Sequence, residues 1–197
     1  MLTKNQLRIK RIFDVSISIV ILPFIIIPLI LLLGIASVST GKNGLFVQKR
    51  IGRFGKPFLC YKIRSLKGSA HHDVKAMKHN ETPFGSWLRR TKLDELPQVI
   101  NVLVGDMSWV GPRPDVPGYA DQLTGDDRVI LQVRPGITGP ATLKYKNEDV
   151  LLLQQTDANT YNDTVIWPDK VAINKEYIRN WSLSKDLNYM FTSVFKK

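Results

Sequence analysis

The sequence predicts an α/β protein that is mostly helical with a small sheet, and that carries an N-terminal re-entrant membrane helix plus interfacial helices. Three features support this prediction: an uncharged apolar run over residues 15–39, two short β-like segments between residues 45 and 66, and apolar residues at helical spacing in the remainder. The 197 residues suffice for one domain with a core. We expect a membrane helix within residues 1–40 and a cytosolic-face unit over residues 41–197 that ends in an amphipathic helix.

The run from Val15 to Ser39 is long enough to cross a hydrocarbon layer of about 30 Å, which takes roughly 20 helical residues. Basic residues flank the run on both sides, and basic flanks mark the cytoplasmic side of a membrane segment. We therefore expect a helix that enters and leaves through the same leaflet. Pro23 and Pro28 provide the bend, because each removes a backbone donor. A spanning helix with a proline kink is the alternative.

The composition indicates anionic partners. The formal net charge is +11, and no Asp or Glu occurs between Val15 and His72. Such a charge suits phosphates, nucleic acid or acidic lipid headgroups without choosing among them. Cys60 is the only cysteine, which excludes an intrachain disulfide and favours a reducing compartment. The three histidines lack companion ligands at metal-binding spacing, so we interpret them as part of a solvated loop: His71, His72 and His79.

The elements after the membrane run follow from local signals. Two strands surround a Gly-Lys-Pro turn, and a polar loop precedes a helix that contains Phe84, Trp87 and Leu88. Pro97 fits the first turn of a second helix that Gly105 can end. The later predictions are a largely helical segment over 115–132, a strand after residue 133, a loop with an amphipathic turn or two over 146–163, and a helical tail over 170–197.

Two adjacent carboxylates, Asp94 and Glu95, lie just before Pro97 in an otherwise basic stretch. A helix N-terminus favours negative charge, so this position predicts a depressed pKa that keeps Asp94 anionic, as a metal ligand or nucleophile requires. A purely structural alternative is that Asp94 caps the helix and Glu95 supports its first turn.

Arginines beside proline and glycine surround this pair. Arg89 and Arg90 precede it, Arg113 lies between two prolines, and Arg134 begins a Pro-Gly turn. Carboxylates together with fixed arginines suit a phosphoanhydride bound with Mg²⁺, since cations offset the phosphate charge. The glycine-rich phosphate-binding loops of other nucleotide-binding proteins are absent from the sequence.

Several motifs in order resemble the bacterial sugar transferase family, the small monotopic phosphoglycosyl transferases. The likeness runs from about Ile9 to Asn188 and includes "KRIFDVSISIVILPFII", "FVQKRIGRFGKPFLCYKIRSL", "LRRTKLDELPQVINVLVGDMSWVGPRP", "VRPGITGPA" and "EYIRNWSLSKDL". One departure concerns the membrane helix, where the family often has Ser-Pro and this chain has Leu22-Pro23. Pro28 or the Ser18 hydroxyl is expected to compensate. The likeness also implies the minimal form of the family, without further membrane helices.

The resemblance implies transfer of a phosphosugar from a UDP-sugar to undecaprenyl phosphate, with release of UMP, at the cytosolic face of the bacterial inner membrane. It implies that Asp94 is the nucleophile and contacts Mg²⁺, and that Glu95 deprotonates or positions the polyprenol phosphate. The implied phosphate-binding residues are Lys62, Arg89 and Arg113, with Arg134 at the nucleotide end. The expected partners are the two substrates and membrane lipids, with no nucleic acid; the sugar and the oligomeric state stay open.

Two other functions compete with this one. A membrane-anchored basic scaffold for anionic lipid or nucleic acid accounts for the charge and predicts salt-sensitive binding without turnover. It gives no reason for adjacent carboxylates in a basic stretch. A glycosidase needs two carboxyls on opposite sides of a sugar, which neighbours at a helix start seldom provide.

Overall fold

The computed structural model describes residues 2–68 and 79–195. The chain opens with one long helix, α1 (Lys4–Thr40), which begins at a capping box formed by Thr3 and Gln6. It ends at Gly41, whose left-handed backbone (φ 69°) suits glycine. Both Pro23 and Pro28 lie inside the helix. Its 37 residues correspond to about 55 Å of helix, more than a hydrocarbon layer is thick.

Helix α1 has the composition and exposure of a membrane helix. Within the described part of the chain it is the one helix long and apolar enough to cross a membrane, and only 11% of its most apolar 18-residue window is buried. A core helix of a soluble protein would bury most of such a window. Large apolar side chains instead face outward along it, among them Ile19, Phe24, Ile27, Ile30 and Val38. These features fit a membrane-associated protein.

The start of α1 is fixed to the rest of the molecule by buried polar contacts. The Lys10 ammonium donates to Asp186 Oδ2 at 2.6 Å. Asp14 Oδ1 accepts from the Ser108 hydroxyl at 3.0 Å and from the Trp109 backbone N–H at 3.1 Å. Lys10, Asp14 and Asp186 are all at most 4% exposed. Because an unpaired charge at such depth is costly, these contacts define one seating for the helix.

A β-hairpin follows α1, as predicted. Strands β1 (Leu45–Ile51) and β2 (Pro57–Ile63) pair antiparallel, with Leu45 opposite Ile63 and Ile51 opposite Pro57. A 3₁₀ turn, Arg53–Gly55, connects them. The side chain of Asn101 fixes the hairpin to the helix behind it: its amide accepts from the Tyr61 N–H at 3.1 Å and donates to the Leu59 carbonyl at 2.7 Å.

The predicted helix–turn–helix in the middle of the chain is also confirmed. Helix α2 (Pro83–Thr91) is capped by Thr82, whose hydroxyl accepts from the Gly85 N–H at 2.9 Å. A 3₁₀ turn, Leu93–Glu95, leads into α3 (Gln98–Val104), and Pro97 precedes α3. Gly105 ends α3 with φ 97°, a conformation that glycine adopts without strain.

A short parallel pair, β3 (Ser108–Val110) and β4 (Gly136–Thr138), forms the second sheet. The largely helical segment predicted over 115–132 is confirmed in part: it forms two 3₁₀ stretches, Ala120–Gln122 and Gly125–Gln132, and no α-helix. Gly118 and Gly125 have left-handed backbones there, which interrupt an α-helix. The strand predicted after residue 133 is confirmed but stops at Thr138, because Pro140 starts the next helix.

The remaining chain is helical: α4 (Pro140–Lys144), α5 (Glu148–Leu153), α6 (Ala158–Tyr161), a π-turn (Asn162–Ile166), α7 (Trp167–Arg179) and α8 (Leu183–Phe195). The helical tail is therefore two helices, because Asn180 ends α7 and the Ser182 hydroxyl accepts from the Lys185 N–H at the start of α8. Tyr177 and Ile178 of α7 lie in the largest core cluster. Helix α8 exposes Leu187, Phe191, Val194 and Phe195. The prediction of a mostly helical protein with a small sheet is confirmed.

Candidate functional site

The two carboxylates lie in the 3₁₀ turn between α2 and α3. Lys92 reverses the chain before them with a left-handed backbone (φ 60°), which is uncommon for a residue with a side chain. The reversal turns both carboxylates inward, so that Asp94 is 8% and Glu95 7% exposed. Burial of two neighbouring acids requires nearby positive charge.

Two cations from different elements supply that charge to Glu95. Its Oε1 accepts from the Lys62 ammonium at 3.1 Å and from Arg113 Nη2 at 2.7 Å. Burial alone would raise the pKa of Glu95, but Arg113 and Lys62 outweigh it and hold the pKa well below its ordinary value. In turn, Glu95 raises the pKa of Arg113. Glu95 is thus an ionised carboxylate fixed between two cations.

Arg113 owes its position to the β3–β4 sheet. The chain leaves β3 through Gly111, and the Gly136 N–H donates to the Pro112 carbonyl at 2.8 Å. Gly111 and Gly136 approach so closely that a Cβ on Gly136 would lie 2.1 Å from the Gly111 nitrogen. Glycine is therefore required at this crossing, which directs Arg113 toward the carboxylate turn.

Asp94 differs from its neighbour. Its Oδ1 is buried and has no hydrogen-bond partner among the described residues. The helix-cap alternative is wrong, because Pro97 precedes α3 and no side chain caps either α3 or the 3₁₀ turn. The predicted depressed pKa is also wrong: burial raises the pKa of Asp94 despite Lys62. The helix start gives Asp94 no donor, and burial removes its water.

An unpaired buried carboxylate oxygen is costly in a resting protein and suits a group that acts on a bound ligand. Among residues 2–68 and 79–195 no three metal-ligating side chains come together. That arrangement still fits Mg²⁺, which takes one or two protein carboxylates and completes its shell with substrate phosphates and water. Asp94 is the residue with a free oxygen for it. His71 and His72 lie outside the described residues.

Other charged groups near Asp94 and Glu95 were not predicted from the sequence. Arg50 donates to the Pro114 carbonyl at 3.1 Å, and burial lowers its pKa. Burial raises the pKa of Asp115 to about 6, although Lys170, Arg50 and Arg113 oppose the rise. Burial and then Arg113 lower the pKa of Lys92. The sequence did contain a signal for Arg50. Every second residue of a strand points to the same face, so Gln48 and Arg50 on β1 share the face of the hairpin that carries Lys62 on β2.

Two predicted phosphate-binding residues make their contacts elsewhere. Arg89 donates from Nη2 to Asp149 Oδ2 at 2.6 Å and lies 3.4 Å from Glu81 Oε1. Arg134 donates to the Gly105 carbonyl at 2.6 Å, and burial followed by Arg11 and Arg53 lowers its pKa. The structure therefore joins Lys62 and Arg113 to the Asp94–Glu95 turn, while Arg89 contacts acidic side chains and Arg134 contacts the end of α3.

An apolar N-terminal helix fixed to a small domain, with a buried carboxylate pair held by cations, defines a membrane-associated protein with a site for an anionic ligand. The family comparison identifies the protein further. The family model described as bacterial sugar transferase matches residues 5–197. The chain belongs to the bacterial sugar transferase family.

Three similar proteins are named as sugar transferases or sugar phosphotransferases. The undecaprenyl-phosphate galactose phosphotransferase of Salmonella typhimurium is 32% identical over 205 residues, covering 94% of this chain and 40% of that protein. The UDP-glucose:undecaprenyl-phosphate glucose-1-phosphate transferase of Klebsiella pneumoniae is 35% identical over 95% of this chain and 39% of its own length. The uncharacterized sugar transferase EpsL of Bacillus subtilis is 31% identical, with 95% and 86% covered. The chain thus spans about 40% of the length of the first two relatives.

Proposed function

We propose that the protein transfers a phosphosugar from a UDP-sugar to undecaprenyl phosphate, giving undecaprenyl-diphosphate-sugar and UMP, through a covalent intermediate on Asp94. The observation that carries the proposal is the Asp94 carboxylate, buried with one oxygen unpaired beside a neighbour that two cations hold ionised. The names of the relatives support undecaprenyl phosphate as acceptor and a sugar phosphate as the transferred group. A basic scaffold has no use for such a carboxylate.

In the first step an Asp94 oxygen attacks the phosphorus that carries the sugar. The new oxygen–phosphorus bond forms as the anhydride bond to the nucleotide breaks, and UMP leaves with the bridging oxygen. Lys62 and Arg113 lie beside the turn, where their positive charge offsets the charge of the diphosphate. The raised pKa of Asp94 in the free protein makes its carboxylate a stronger base, and therefore a stronger nucleophile, once ionised.

In the second step an oxygen of undecaprenyl phosphate attacks the same phosphorus, and the bond to Asp94 breaks. Glu95 has a lowered pKa and is held by two cations, which makes it a weak base. We therefore assign Glu95 a positioning role, because it orients Lys62 and Arg113 toward the phosphates. Mg²⁺, bound by Asp94 and substrate phosphate oxygens, would neutralise charge on the diphosphate.

The panel assay for the function uses the full chain in detergent with undecaprenyl phosphate, Mg²⁺ and UDP-sugars supplied one at a time. We expect release of UMP with at least one UDP-sugar and formation of a lipid-linked product only when undecaprenyl phosphate is present. UDP-glucose and UDP-galactose come first, because the relatives' names contain those sugars. A panel with no UMP release from any UDP-sugar would contradict the proposal.

Both ends of α1 contact the same domain, which supports the re-entrant arrangement. Lys10 and Asp14 at its start contact Asp186 and Ser108, whereas Leu29 and Ala36 near its end share a core cluster with Ile63 and Leu88. A helix that crossed the bilayer would carry its second end to the other side. We propose that both ends lie at the cytosolic face of the inner membrane.

Cysteine labelling tests this arrangement in a Cys60→Ala background, which removes the chain's only native thiol. Thr3→Cys and Lys42→Cys place one thiol before and one after α1. We expect an impermeant maleimide to modify neither thiol in intact spheroplasts and both after permeabilisation. Modification of Cys at position 3 alone in intact spheroplasts would demonstrate a spanning helix.

A further inference from the structure

A cavity of about 690 Å³ lies away from the carboxylate turn, and we call it the N-terminal groove. It is bounded by the start of α1, the β1–β2 turn, the 3₁₀ stretch Gly125–Gln132 and the end of α7. Its lining includes none of Lys62, Asp94, Glu95 or Arg113. Its volume falls in the range of small-molecule sites, about 300–1,000 Å³.

The groove combines an apolar floor with a cationic rim. Leu2, Leu7, Leu131 and Ile178 supply apolar surface. The rim carries three guanidinium groups, those of Arg53, Arg128 and Arg179, and one carboxylate, that of Asp126. Such a site suits an amphiphile with an anionic head, because charge and apolar surface are both matched.

The rim cations have capacity for a ligand. Arg53 donates from Nε to the Gln132 carbonyl at 2.8 Å, and Arg128 donates from Nη1 to the Leu123 carbonyl at 3.2 Å. Arg179 is exposed, and its guanidinium makes no hydrogen bond or ion pair with any described residue. A guanidinium has five N–H donors, so most of these donors are free for phosphate oxygens.

Phe54 at the rim is strained and exposed. Its backbone lies in the left-handed region (φ 62°, ψ 18°), which is unfavourable for a bulky residue, and its side chain is 56% exposed. The Arg53 guanidinium lies 4.5 Å from its ring centroid. An exposed aromatic ring next to a cation is typical of a membrane interface, where the ring enters the acyl region and the cation meets headgroups.

The groove also adjoins the membrane-facing surface of α1. Leu2 and Leu7 line the groove, and outward-facing apolar side chains begin two residues later at Ile9, followed by Ile12. The apolar floor of the groove therefore lies within two helical turns of the exposed apolar side chains of α1. This proximity favours a lipid over a soluble anion.

We propose that the N-terminal groove binds one anionic phospholipid of the surrounding membrane, with its phosphate against Arg53, Arg128 and Arg179 and part of an acyl chain on the apolar floor. The lipid fixes the start of α1 against the 3₁₀ stretch and α7. This site takes no part in the proposed transfer, since it shares no residue with the carboxylate turn.

The test measures thermal unfolding of the full chain in a nonionic detergent with added phosphatidylglycerol, phosphatidylcholine of the same acyl chains, or inorganic phosphate. Near saturation we expect phosphatidylglycerol to raise the unfolding midpoint by about 5–10 °C, and the other two additives to leave it within about 1 °C. Equal effects of the two lipids would overturn the proposal. A full shift with inorganic phosphate alone would also overturn it, because the ligand would then be a soluble anion.

Variants locate the effect. Arg128→Gln/Arg179→Gln is expected to abolish the phosphatidylglycerol shift, whereas the charge-matched Lys42→Gln/Lys49→Gln, two exposed lysines outside the groove, is expected to keep it. If both double variants lose the phosphatidylglycerol shift equally, the shift depends only on net charge, and the proposed site is wrong. A third variant, Phe54→Asn, changes the rim without disturbing the fold, because asparagine tolerates the left-handed backbone at this position. It is expected to unfold at the same or a higher temperature without lipid and to lose at least half of the shift; a full shift would contradict the role of the rim.

Discussion

Asp94→Asn is expected to lower UMP release by at least about a thousandfold, because an amide cannot act as the attacking oxyanion and removal of a catalytic nucleophile has effects of this size or larger. The substitution keeps the shape of a side chain that is only 8% exposed. Burial raises the pKa of Asp94, which means that the buried charge is unfavourable. Its replacement by a neutral amide is therefore not expected to destabilise the fold. The measurement is the initial rate of UMP release with the UDP-sugar that the wild-type protein uses.

Asp127→Asn is the matched control. Asp127 pairs with Lys175 at 2.6 Å; the Asp127 side chain is 50% exposed and that of Lys175 19% exposed, so solvent screens the pair and its effect on stability and activity is small. We expect its rate to stay within about twofold of wild type, since surface substitutions seldom matter. Asp94→Asn protein that unfolds like wild type and retains a tenth or more of the activity would exclude Asp94 as the nucleophile.

Asp186→Asn is expected to destabilise the protein by about 3–5 kcal/mol, the typical effect of breaking a buried ion pair. Asp186 is 0% exposed and accepts from Lys10 at 2.6 Å, Tyr177 at 2.7 Å and the Trp181 indole at 2.9 Å. The asparagine leaves the Lys10 ammonium buried without a counter-charge. Chemical denaturation in detergent micelles measures the difference in unfolding free energy, with Asp127→Asn again as control.

A second substitution separates the buried charge from other effects. Lys10→Met in the Asp186→Asn background removes the uncompensated ammonium, so the double variant should be more stable than Asp186→Asn alone. Because Lys10 lies in α1, recovery would show that this ion pair controls how the membrane helix is seated. Asp186→Asn as stable as Asp127→Asn would contradict a structural role for the pair.

The parts of the fold that local chemistry specifies were predictable from the sequence. Pro97 and Gly105 bound α3 because one suits a first helical turn and the other a left-handed end. The hairpin follows from short β-like segments around a turn, and α1 from its length and apolarity. In the segment 115–132 the apolar spacing indicated helical structure but not its type, because Gly118 and Gly125 limit it to two 3₁₀ stretches.

The adjacent carboxylates of the candidate site were predictable from the sequence, but their electrostatics were not. The adjacency of Asp94 and Glu95 is plain in the sequence, yet their pKa values move in opposite directions. Burial outweighs the nearby cations at Asp94, whereas Arg113 and Lys62 contact Glu95 directly and outweigh its burial. That difference depends on Lys62 in β2 and Arg113 in the loop after β3, which are distant in sequence. The contacts of Arg89 with Asp149 depend on how α5 packs, and no local pattern encodes such a distant contact.

The most direct test of the covalent mechanism is the intact mass of the protein, quenched after mixing with a UDP-sugar that the wild-type protein uses, in the absence of undecaprenyl phosphate. The mechanism predicts a mass gain of one sugar phosphate on wild-type protein, no gain on Asp94→Asn, and loss of the adduct once undecaprenyl phosphate is added. Wild-type protein that turns over with both substrates but never gains this mass, or an adduct that persists in Asp94→Asn, would contradict transfer through Asp94.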